Sequence, residues 1–152
     1  MDTSNGFLAA SIRWSKHALL ALAVVYAGES FDLWPPIEAG RFEAFASLMA
    51  QVAATMMGFV IATIAILTTF GTFRVGRNLF RTGRVLTLLR LLSLTAAAFA
   101  MVTAIGAAIS LWGAAPMTIW PPVLLFTILW ACLLLCDAVY KLYRVVSVLD
   151  IT

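Results

Sequence analysis

Charge is the first thing this sequence lacks. Asp, Glu, Lys and Arg make up 11% of 152 residues, against about 25% in ordinary soluble domains. So few ionised groups cannot keep a surface of this size in water, which argues against a soluble globular domain. Histidine occurs once, as His17, and cysteine twice, as Cys132 and Cys136. A metal centre needs three or four ligands brought together, and this set is too small and too far apart in sequence, so neither a metal nor a cofactor is expected. The two cysteines sit four apart in an apolar run, on one helix face. They read as small apolar fillers and not as a disulfide framework. No G-x-S-x-G, H-E-x-x-H or C-x-x-C is present. Gly71, Gly76 and Gly83 follow no strand and so give no phosphate-binding loop. Without a nucleophile–base pair or a metal set, the chain reads as non-enzymatic.

What the chain does have is long apolar runs. Hydrophobic residues are 63% of it, and the mean hydropathy is +1.02. From Ala44 to Phe70 no residue is charged, and Gln51 is the only strongly polar side chain. A bilayer core about 30 Å thick needs about 20 such residues in a helix, so this stretch reads as a membrane span. Three further runs predict an all-α, four-span integral membrane protein in a single domain, 1–152. The spans are about 14–34, 44–70, 86–112 and 119–140, with a basic cytoplasmic loop at 71–85. The first run, behind Arg13 and Lys16, partly resembles a signal peptide, but Phe31, Leu33 and Trp34 continue the apolar path past Gly28. An uncleaved span is therefore preferred. Pro35-Pro36 stops it, and Pro121-Pro122 fall in the first turn of the last span, where proline is tolerated.

Orientation follows from counting. With four spans, one side holds Arg13, Lys16, Arg74, Arg77, Arg81, Arg84, Arg90, Lys141 and Arg144, and the other holds only Arg41. The positive-inside rule puts both termini and the arginine-rich loop in the cytoplasm. Glu29, Asp32, Glu38 and Glu43, all five prolines, and an aromatic belt of Trp34, Trp112 and Trp120 fall on the outer side.

Four sets of residues are candidates for function or assembly. Small residues recur every fourth place in the second span (Ala46, Ala50, Ala54, Gly58, Ala62) and in the third (Ala96, Ala100, Ala104, Ala108, with Gly106 close by). Such rows let backbones come close, so the second and third spans are expected to pack along them. One step round the second span lies a polar row, Ser47, Gln51, Thr55 and Thr63. It reads as an interhelical hydrogen-bond row or, in an oligomer, as a pore lining. Glu29 and Asp32 share a helix face and would repeat around the axis of an oligomer, as acid rings do in cation channels. Arg74, Arg77, Arg81 and Arg84 advance by three, four and three, which gathers them within roughly 80° of a helix. That basic face suits anionic lipid heads or an acidic cytoplasmic partner, and arginine favours bidentate contacts with carboxylate or phosphate. No aromatic platform accompanies it, so direct nucleic-acid binding is not expected.

The phrase GFVIATIAILTTF, residues 58–70, ends a span before a basic loop. It resembles the second span of small bacterial four-helix inner-membrane proteins found in defence islands, the membrane subunits of the Kiwa anti-phage system. The likeness covers that phrase and the layout of the chain. It implies a homo-oligomeric membrane sensor that docks a cytoplasmic, DNA-binding effector, and it carries over no catalytic residue.

The sequence thus predicts an oligomeric scaffold or sensor in a bacterial inner membrane, with lipid, copies of itself and a soluble protein as partners. The alternative is an oligomeric ion channel or pore subunit. A transporter of small hydrophobic solutes has the least support.

Overall fold

The computed structural model describes residues 3–31, 38–70, 84–112 and 120–149. All regular structure among them is helical: α1 (Thr3–Ser30), α2 (Ala39–Phe70), α3 (Arg84–Trp112) and α4 (Trp120–Leu149). Three of the four are long and apolar enough to cross a membrane, over Gly40–Thr69, Val85–Trp112 and Trp120–Arg144. The chain is therefore an integral membrane protein. Helix α1 is less apolar than these three. Its uninterrupted apolar run, Ala18 to Gly28, spans about 16 Å at 1.5 Å per residue, and Lys16, His17 and Glu29 bound it.

Helix α3 is the spine. It packs against α2 on one side and α4 on the other, and α1 packs on the far side of α4. The order across the layer is therefore α2, α3, α4, α1. It is a row, not a closed square, because α1 and α2 share no substantial contact. Helices α2 and α3 run antiparallel, with Ala46 beside Gly106 and Ala50 beside Thr103. The connection from Trp112 to Trp120 is too short to span the length of helices of 29 and 30 residues, at no more than about 3.6 Å per residue. Helices α3 and α4 must therefore be antiparallel as well. The arginine-rich segment and the C-terminal end of α4 thus share one end of the layer.

The seams follow the spacing of their residues. On α2 the residues turned inward are Phe42, Ala46, Ala50, Ala53, Met57, Val60, Ile64 and Leu67. On α4 they are Leu124, Thr127, Ala131, Leu134 and Ala138. Steps alternating between three and four average 3.5, which keeps one face against a neighbour at a shallow crossing. On α3 two such stripes lie side by side, and Leu88, Leu91, Leu92, Thr95, Ala98, Phe99 and Val102 are all buried. A helix with two neighbours needs that width. Large apolar side chains elsewhere face outward, among them Leu19, Leu22, Phe59, Ile66 and Leu111. They would be intolerable in water and are ordinary in lipid.

Several helix limits differ from the sequence reading. The residues around Arg41 and Glu43, expected in a connection, are helical, because α2 begins at Ala39. The Glu38 carbonyl accepts from the amides of Arg41 and Phe42, each at 3.0 Å. It thereby closes the first turn as an N-cap residue does, and the helix rises beyond the apolar stretch. Helix α4 likewise runs past Tyr140 to Leu149. At the start of α3, Val85 belongs to the helix and is buried, so the basic connection ends before it.

Candidate functional site

The segment expected to carry the basic face is flanked on both sides by residues anchored in the core. Leu67, near the end of α2, packs on the core, and Val85 and Leu88, near the start of α3, are buried in it. The hydroxyls of Thr68 and Thr69 donate to the Ala65 carbonyl at 2.8 and 2.9 Å, occupying an acceptor in the last turn of α2. Arg74, Arg77 and Arg81 lie outside the described residues. Arg84 is the first residue of α3. Arg90 and Arg144 are exposed at the same end of the layer.

Lys141 at that end is tied down. Its Nζ lies 2.5 Å from an Asp137 carboxylate oxygen one turn earlier. Sequence reasoning passed over Asp137, because an acid four residues before a lysine near the end of a span looks like an ordinary polar boundary. The i, i+4 spacing with the acid first was the signal that could have found it.

The small rows meet only in part. On α2, Ala46 and Ala50 are buried, whereas Ala54, Gly58 and Ala62 are exposed. On α3, Ala96 and Ala108 are half-buried, and Ala100 and Ala104 are exposed. The expectation that α2 and α3 pack along these rows is therefore corrected. The two helices do pack, but on the 3.5-residue stripe. Steps of four advance 400° and drift about 40° each on a straight helix, so a row of four or five steps winds off any flat seam. The close approach occurs where the α2 row crosses the seam. A Cβ added to Gly106 would stand 2.6 Å from the Ala46 carbonyl oxygen and 2.9 Å from the Ala50 Cβ. Glycine alone fits there. A Cβ on Gly58 would meet nothing within 4 Å.

The polar row has the opposite fate to an interhelical lock. The Thr55 hydroxyl donates to the Gln51 carbonyl at 3.0 Å and Thr63 to Phe59 at 2.8 Å, each within its own helix. The hydroxyl that reaches across the seam belongs to Thr103, at 3.5 Å from the Ala50 carbonyl, while its shorter bond of 2.9 Å goes to Phe99. Gln51 and Thr55 are exposed. No described residue bonds the Gln51 carboxamide.

The remaining candidates are scattered. Glu29 and Glu38 are exposed near the ends of α1 and α2, and Asp32 lies outside the described residues. Cys132 and Cys136 are free thiols on the open side of α4. Trp130 stacks on Phe126 with ring centroids 6.4 Å apart, and its indole N–H is buried without a partner among the described residues. Among those residues, no three of His, Cys, Asp and Glu stand close enough to hold a metal ion.

No family model, curated protein or solved structure matches this chain.

Proposed function

We propose that this protein is a non-enzymatic, oligomeric inner-membrane scaffold or sensor. Its basic cytoplasmic face, Arg74, Arg77, Arg81 and Arg84, holds a soluble effector. In this reading α1 is a fourth span and both termini lie in the cytoplasm, so that Arg13 and Lys16 join the other cations. The carrying observation is the sorting of charge: nine of the ten Lys and Arg residues fall on one side of that topology. The connection between α2 and α3 is the densest part of that cluster and contains no acid. Its two ends are fixed by buried residues, which gives a partner a defined place to bind. The resemblance of residues 58–70 supports an anti-phage setting and a nucleic-acid-binding partner, with the nucleic acid met by the effector and not by this chain. A pore has less support, because the hydroxyls of Thr55 and Thr63 donate within α2.

The test is capture of the partner from the native host. The tagged protein in membranes should retain a soluble protein. Changing Arg74, Arg77, Arg81 and Arg84 together to glutamine should release it while the chain still inserts. Equal recovery from the variant would remove the docking reading.

A further inference from the structure

The middle of the side of α2 turned away from the fold carries small and polar residues. At 100° per residue, Gln51, Thr55 and Ala62 lie about 150° or more, and Gly58 about 130°, from the centre of the stripe packed on α3. All four are exposed. Only 11% of the most apolar α2 window is buried, against 44% for α3 and 28% for α4. Helix α2 thus stands at the edge of the row with its outward side uncovered. Leu48 and Ile66 flank this side toward its two ends, but between them it carries glycine, alanine, threonine and a primary amide.

Gln51 is what calls for an occupant. It lies about 5 Å from the middle of the span Gly40–Thr69 along the axis, at 1.5 Å per residue. Its side chain is too short to reach a headgroup from there. A carboxamide has two donor hydrogens and an acceptor oxygen, and hydrocarbon satisfies none of them. Among the described residues its side chain has no partner.

We propose that the outward face of α2 is covered by the same face of a second copy. Two copies inserted in one direction are related by an axis along the membrane normal. Identical residues on facing helices therefore meet at equal depth, and Gln51 meets Gln51. The amide is self-complementary, so each copy supplies what the other lacks. Gly58 and Ala62 then let the two backbones approach, the use that small residues have in membrane helix pairs. This inference deepens the oligomeric part of the proposed function and is independent of the docking part, which partner capture tests separately.

The experiment uses the full chain in bilayers, with Cys132 and Cys136 changed to alanine. Gly58→Cys should give a covalent dimer on oxidation, and Ala104→Cys, on the exposed side of α3, should not. In the dimer read through Ala62→Cys, Gly58→Leu should abolish the cross-link, and Gln51→Leu should weaken association about eightfold, as loss of the two membrane hydrogen bonds of the amide pair does. Added side chains at Gly58 meet open space within the chain, so these variants leave the fold intact. A cross-link at Ala104→Cys and none at Gly58→Cys would overturn the proposal. So would a chain that stays monomeric in the bilayer, or rapid modification of Gln51→Cys by a charged, water-soluble thiol reagent, which would mark a water-filled lining.

Discussion

Gly106→Ala and Gly58→Ala make the same chemical change in two apolar helices, and the structure predicts opposite results. At Gly106 the new methyl would stand 2.6 Å from the Ala46 carbonyl oxygen. That oxygen is backbone and cannot rotate aside. Opening the contact to about 3.3 Å, the short limit of a C–H···O approach, moves the axes of α2 and α3 apart by roughly 0.7 Å at the crossing. A gap of that size forfeits about a quarter to a half of the dispersion energy of each pair of atoms it separates. Overpacking of this kind costs about 1–3 kcal/mol, toward the upper end when backbone must yield. Alanine returns up to about 1 kcal/mol in helix propensity. The net loss is about 1–2 kcal/mol. At Gly58 nothing stands within 4 Å, so only the gain of up to about 1 kcal/mol remains. Unfolding should be followed by circular dichroism in a detergent that keeps the chain monomeric. The Gly106 variant should unfold earlier than the parent and the Gly58 variant no earlier. A Gly106→Ala protein as stable as the parent would refute the close crossing of α2 and α3.

The ion pair on α4 supplies a second contrast. Asp137→Asn leaves Lys141, whose long stem can carry its ammonium to the headgroups, and should cost about 0.5 kcal/mol. Lys141→Met leaves a short carboxylate with 19% side-chain exposure and should cost more, about 1–2 kcal/mol in the same unfolding assay, less than a fully buried broken pair. Partner capture should also weaken with salt, because screening shortens from about 10 Å at 0.1 M to about 3 Å at 1 M. Capture indifferent to salt would point to a contact other than the arginines.

Much of the fold is legible in the sequence because the bilayer imposes it. An uncharged run such as Ala44–Phe70 has few alternatives to a helix, and the pairing of α2 with α3 follows from their short connection. The facing side is harder to read. Alanine every fourth residue looks like a seam, yet the residues that meet include Met57, Val60 and Ile64 of α2, none of which is small. The inward stripe is set by the 3.5-residue average, and in a span this uniformly apolar that stripe hardly differs in hydrophobicity from its surroundings. Gly106 is recognisable as indispensable only once Ala46 is seen across from it. Gln51 was conspicuous from the start, but its direction was not, since a lone amide on a helix fixes no inward side. The early start of α2 is not legible in the sequence, because Glu38 contributes its main-chain carbonyl to the first turn, a role that no side-chain pattern reveals.

The docking reading depends on where the segment between α2 and α3 lies. A single reactive site made by Thr82→Cys, with Cys132 and Cys136 changed to alanine, can be probed with a membrane-impermeant maleimide in intact and in opened cells. Labelling should occur only once the membrane is opened, because the proposed topology puts nine of the ten cations on the inner side, which would hold that segment in the cytoplasm. Full labelling in intact cells would put the arginines on the outer surface and contradict the account.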